Sequence, residues 1–144
     1  MELEGEAARL AKRPVTFWRL TGLKVERFCA LLAEVEPLWR AAEIKRLKKR
    51  ARQRGIGAGQ AYNLPLCDRL LMTLIYYRTY ISQEFLGYLF DLDASNVCRN
   101  MGRMRPVLAQ VFRIPERRIK ANPEEVATLF LTERNSVSTA RKAA

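Results

Sequence analysis

Between residues 95 and 103 the chain sets Ser95, Asn96, Arg99, Asn100 and Arg103 at helical spacing, with Val97 and Met101 between them. On a helix the five polar side chains fall within about 140° of one another, opposite a stripe of Val97, Met101, Met104, Leu108 and Phe112. These residue types suit the major groove of duplex DNA. An arginine fork bonds guanine in two places, an asparagine amide does the same for adenine, and a small serine lets the helix come close. An ordinary amphipathic helix with one wet face has the same spacing. Two features favour recognition: the polar face contains no acidic residue, and it lies downstream of a strongly basic run.

That run is KRLKKRARQR, residues 45–54, which holds Lys45, Arg46, Lys48, Lys49, Arg50, Arg52 and Arg54 and no acid. A segment of this kind tracks phosphates and supplies affinity without choosing sequence. A solvated basic helix end is the plain alternative. The run leads into GIGAGQAYNLP, where Gly55, Gly57 and Gly59 mark a linker. The whole 144-residue chain has the same bias, with a formal net charge of +11 and a pI near 10.1. Such a balance points to an anionic partner, nucleic acid first and anionic membrane second. No stretch of eighteen uncharged apolar residues is present, so no transmembrane helix is expected. Nor does the acidic N-terminus read as a secretory signal. Cys29, Cys67 and Cys98 are far apart and odd in number, which fits neither a disulfide framework nor a zinc pair. A reduced cytoplasmic, nucleoid-associated setting is the expectation.

The elements that would position these residues read as helices throughout. Residues 1–13 form a weakly held helical lead. A helix runs from about Lys24 with Phe28, Leu31, Leu32 and Val35 on one face. Pro37 disfavours its continuation, so a second helix from about Leu38 carries the basic run. Pro65 opens a helix over about 65–79 that buries Leu70, Leu71, Leu74 and Ile75. Ser82 N-caps a short helix to about Phe90, with Phe85, Leu86 and Leu89 inward. Asp91-Leu92-Asp93 makes a tight turn whose corner Leu92 plugs, and Asp93 caps the next helix. The expected fold is all-α: a small multi-helix domain with a helix-turn-helix motif, a helical N-terminal extension and a basic linker. The expected divisions are an extension with its basic arm over 1–58, the helix-turn-helix domain over 59–113, and a flexible tail over 114–144.

Catalysis finds little support in the residues. Two-metal strand cleavage needs convergent carboxylates, whereas Asp68, Asp91 and Asp93 read as helix-end residues. Histidine is absent from the sequence. The cysteines read as small buried side chains. Tyr76, Tyr77 and Tyr80 read as packing on the scaffold helix in preference to stacking on bases. No catalytic residue, metal ligand or cofactor is expected.

The segment LPLCDRLLMTLIYYRTYISQEFLGYLFDLDASNVCRNMGRMRPVLAQVFRIPERRI resembles the N-terminal region of bacterial insertion-sequence transposases of the DDE class. The resemblance extends upstream through FWRLTGL and EVEPLWRAAEIKRLKKRARQRGIGAG and covers roughly residues 15–120. It implies a helix-turn-helix DNA-binding module preceding an RNase H-like nuclease domain with three metal-binding carboxylates. Carried over by position, 82–90 is the first helix of the motif and 94–105 covers the reading helix. The chain departs from the pattern in two places. Gly59-Gln60-Ala61 stands where relatives often have a Gly-Arg-Pro-like arm. The first catalytic carboxylate should follow RIPERRI in an Asp-(Gly/Ala)-Thr-Glu motif, but no Asp occurs after Asp93. Codon degeneracy allows that motif in another frame: Leu-Thr-Glu-Arg-Asn at 131–135 can be written CTG ACG GAA CGG AAC, which contains GAC GGA ACG GAA. Leu129-Phe130 can be coded as a run of T, a site for slippage. Residues from about 131 onward would then be out-of-frame tail.

The expectation is therefore a non-enzymatic DNA-binding module of a truncated or frameshift-split transposase. Its partner would be double-stranded DNA, the element's terminal inverted repeats. A homodimer or a full-length transposase is a further expected partner, and no membrane is. The alternatives are a repressor of transposition binding the same ends, a basic RNA-binding adaptor, and the enzyme itself if slippage joins the two frames.

Overall fold

A computed structural model describes residues 3–50, 64–114 and 121–131. Every regular element among them is a helix: α1 (Gly5–Ala11), α2 (Pro14–Thr21), α3 (Val25–Arg50), α4 (Leu66–Thr79), α5 (Gln83–Phe90), α6 (Ala94–Leu108) and α7 (123–131). The protein is all-α, as its 3.6-residue periodicity indicated.

Scaffold helix α4 is buried nearly all round, with Leu70, Leu71, Met72, Leu74 and Ile75 inside. Helices α1, α2, α3, α5 and α6 all pack on it. A helix apolar on every side has no wet face and must sit at the centre, which is why LLMTLIYY reads as an unbroken apolar run. Phe28, Leu31, Leu32 and Val35 of α3 are buried, as their spacing required.

Pro37 does not end the helix. The single α3 runs through it to Arg50, which corrects the expected break and second helix from Leu38. Proline deprives the carbonyl four residues earlier of its hydrogen bond. Here that carbonyl belongs to Ala33, and both Ala33 and Pro37 are exposed, so water can solvate it. Pro106 is likewise exposed within α6, and Gly102, four residues earlier, is exposed too.

The N-terminal lead is not weakly held. Ala7 and Leu10 of α1 are fully buried. The Asp68 carboxylate on α4 accepts the N–H of Glu6 at 3.0 Å and of Ala7 at 2.9 Å. These are N–H groups of the first helical turn, which have no partner within the helix, so a side chain sixty residues away caps it.

The expected flexible tail is in part a helix. Asn122 Oδ1 accepts the Glu124 N–H at 2.9 Å and starts α7. Phe130 is fully buried, 5.0 Å from the Phe90 ring and beneath the Arg9 guanidinium. Glu125 pairs with Arg19 of α2 at 3.0 Å. The apolar pair Val126/Phe130, at i and i+4, is the signal that makes this segment dock. The boundary expected near residue 58, the linker glycines and the segment from 132 lie outside the described residues.

Candidate nucleic-acid interface

Two helices and a short turn form the site. Ser82 Oγ accepts the Phe85 N–H at 3.1 Å and caps α5. Asp91 takes a left-handed conformation (φ +57°) at the C-cap. The Leu92 N–H donates to Gly87 O at 2.8 Å, closing the corner. A Cβ on Gly87 would lie 2.3 Å from Leu92 O, so the turn fits against α5 only because Gly87 has no side chain. Leu92 is half-buried against the core, as expected of a plug. Asp93 stands at the N-cap of α6, but its side chain makes no capping bond there.

Val97, Met101, Met104 and Leu108 are buried and seat α6 on its neighbours. Phe112 lies past the helix end, half-buried. On the polar side the expected set divides. Ser95 and Arg99 are exposed, while Asn96 and Arg103 are half-buried. Arg99 Nη1 donates to Asn96 Oδ1 at 3.0 Å. Asn100 is fully buried and accepts a bond from Arg69 Nη1 at 2.8 Å. It is not on the outward face, which corrects its expected placement beside Arg99. The reason is α3, which packs along one flank of α6 and covers the side where Asn100 and Arg103 lie. The exposed stripe is therefore turned about a quarter of the way round the helix. It runs through Ser95, Cys98, Arg99, Gly102 and Arg105.

The described part of the basic run, 45–50, is the end of α3, a helix that packs on α6. Lys45, Lys48 and Lys49 are exposed on the last turns of α3. Arg46 is half-buried and makes a two-point pair with Glu43, at 3.0 Å and 2.8 Å. That bond holds the Glu43 carboxyl below the usual range, and the positive charges of Arg103 and Arg69 add to the effect. Glu43 thus sits where α3, α4 and α6 meet. Of Arg50 only the backbone is described, and Arg52 and Arg54 lie outside the described residues.

Residues 62–114 match the family described as the helix-turn-helix of DDE superfamily endonuclease. The matched segment is a little over a third of the chain. No curated protein and no solved structure matches the chain.

Within the matched segment, α5 and α6 form the helix-turn-helix and α4 is the scaffold beneath them. Sequence reasoning missed three residues that shape it. Gly87 closes the corner, Arg69 holds Asn100, and Gly102 lies open on the outward stripe with nothing within 4 Å of a Cβ built there. The first is legible as a small residue five positions before the corner leucine. The other two depend on α3, whose placement no local pattern in α6 reports. Cys98 is exposed, against the expectation that all three cysteines are buried, while Cys67 is buried and Cys29 half-buried. Tyr77 is buried and accepts a bond from Arg105 Nε at 2.7 Å, which fixes the C-terminal half of α6 to α4. Among the described residues, no helix is long and apolar enough to cross a membrane.

Proposed function

We propose that this chain recognises the end sequences of a mobile element as the DNA-binding part of a transposition system. Helix α6 enters the major groove. Arg99, Ser95 and Asn96 on its first turns read base edges, with Arg103 at the flank contacting base or phosphate. Lys45, Arg46, Lys48 and Lys49 of α3, with Arg50, Arg52 and Arg54 beyond, neutralise phosphates beside the groove. Asn100 is excluded from the reading set by its burial. The observation that supports this reading is the stripe of α6, which holds no acid on a helix packed against α3, whose end carries exposed lysines. Strand cleavage is not assigned to these residues. Asp68 caps α1, and Asp91 and Asp93 stand at helix ends.

The test is enrichment of duplexes from a randomised pool, followed by competition at fixed salt between an enriched duplex, its shuffled form and a structured RNA. Preference for the enriched duplex is expected. Equal binding to both duplexes reduces α6 to a phosphate clamp. Better competition by RNA replaces the DNA reading with an RNA-binding adaptor. Specific binding that also blocks end cleavage by a full-length transposase would make the chain a repressor.

A further inference from the structure

Arg69 joins three elements that the proposed interface needs in a fixed arrangement. It projects from the first turn of α4. Its Nε donates to Leu64 O at 3.0 Å, on the chain entering that helix. Its Nη1 donates to Asn100 Oδ1 at 2.8 Å, in the middle of α6. Its guanidinium stacks over the Trp39 ring of α3, 5.4 Å from the centroid. A planar fork serves bonds in two directions and a ring face at once, which a lysine ammonium cannot.

The partner side chain strengthens the case. Asn100 is fully buried, yet its Nδ2 has no hydrogen-bond partner among the described residues. A half-satisfied buried amide is costly, and an apolar side chain of similar size would suit the site better for stability alone. What Asn100 alone provides is the acceptor for Arg69. Buried polar pairs of this kind can fix one packing arrangement among several apolar ones. Here the arrangement fixed is that of α6 against α3, the two helices with the exposed arginine and the exposed lysines.

We propose that Arg69 is a positioning residue: it locks the reading helix to the basic helix, so that base contacts along α6 and phosphate contacts along α3 meet one duplex in one register. The inference rests on the DNA-reading role proposed above, and its test separates the two.

Wild type, Arg69→Lys and Asn100→Asp are compared by amide hydrogen exchange of the free chain. They are also compared by affinity for the wild-type-enriched duplex and its shuffled form across a salt series. With Arg69→Lys, exchange over α6 is expected to speed up about tenfold while α2 is unchanged. Preference for the enriched duplex is expected to fall about tenfold. The salt slope on the shuffled duplex should stay at its wild-type value, because the lysines of α3 are untouched. Asn100→Asp keeps an acceptor for the fork and should keep the preference within about threefold of wild type. Unchanged exchange and preference in Arg69→Lys would overturn the proposal. So would an equal loss on both duplexes with a flatter slope, which would make Arg69 a phosphate contact. If Arg69→Lys does not fold, Asn100→Leu fills the same site without an acceptor and is held to the same expectations. If wild type prefers no duplex, the DNA reading fails by itself. Exchange then decides for Arg69: acceleration confined to α6 sustains its locking role, and none overturns it.

Discussion

At the scale of single residues, the outward face of α6 makes two opposed demands on Gly102. A glycine in an exposed helix interior destabilises the fold by about 0.5–1 kcal/mol relative to alanine. No neighbour explains it, since a Cβ there would meet open space. The close approach of a groove wall would. Gly102→Ala is therefore expected to raise the melting temperature by about 2–4 °C while weakening binding to the enriched duplex. The larger Gly102→Leu should cost on the order of 1–3 kcal/mol, the scale of a lost base contact. Thermal melts and competition binding on the same preparations check both signs, and a glycine substitution that stabilises without weakening binding removes Gly102 from the interface. Arg99→Ala should remove about 1–3 kcal/mol of discrimination and relax one base position, with the fold intact because the side chain is exposed. Equal loss on enriched and shuffled duplexes would make Arg99 a phosphate contact. The apolar anchors Val97, Met101, Met104 and Leu108 were legible in the sequence because they repeat at helical spacing on a helix with one dry side. Asn100 was not, because periodicity sorts residues by polarity and a buried asparagine looks like an exposed one until its partner on another helix is known.

At the scale of elements, the described part of the basic run, 45–50, is the end of a long helix that is packed along its first half and solvated along its last turns. Its apolar residues Phe28 to Val35 could be read from spacing, but its continuity through Pro37 could not. Whether proline breaks a helix depends on whether the deprived carbonyl faces water, and that is a property of the packed fold. Because α3 packs on α6, its exposed lysines belong to the same packed body as the outward stripe of α6. Neutralising Lys45, Lys48 and Lys49 together should weaken binding to all duplexes alike and flatten the log–log salt slope by about 2–3 units, at about 0.9 per phosphate. An unchanged slope would return the run to a solvated helix end. Glu43 acts in the opposite sense. It engages Arg46 through two bonds and sets a carboxylate beside the charges of Arg69 and Arg103. Glu43→Gln should leave Arg46 freer for phosphate, tighten binding to both duplexes and steepen the slope by about 1. Weaker binding in a salt series would show instead that the Arg46–Glu43 pair orders the end of α3.

At the scale of the whole molecule, the ends of the described chain are tied into the centre, α7 by Phe130 and α1 by Asp68. The second tie makes stability depend on pH. Burial pushes the Asp68 carboxyl up to about 6 from an ordinary value of 3.8, against the Ala7 N–H, which favours the charged form. A carboxyl whose folded value lies above its unfolded one binds its proton more tightly in the native state. Its stabilising contribution is therefore fully present below about pH 4, fades as pH rises through the window from about 4 to 6, and is absent above it. The shift corresponds to an order of about 3 kcal/mol across that window. Replacing Asp68 with Asn removes the titration and leaves a neutral group with one carbonyl acceptor, as the protonated carboxyl has, so the variant should match wild type near pH 4 and be the more stable of the two near neutrality. The gap between wild type and Asp68→Asn should then open as pH rises from 4 to 7. Acid titration of Glu43, whose lowered value works in the other direction, affects both proteins alike and cancels in the difference. Denaturant midpoints of the two proteins at matched pH values measure that gap. A wild type that is instead the more stable of the two near neutrality would mean that Asp68 is held as a carboxylate by the Glu6 and Ala7 N–H groups, and that the first turn of α1 outweighs burial in setting its charge.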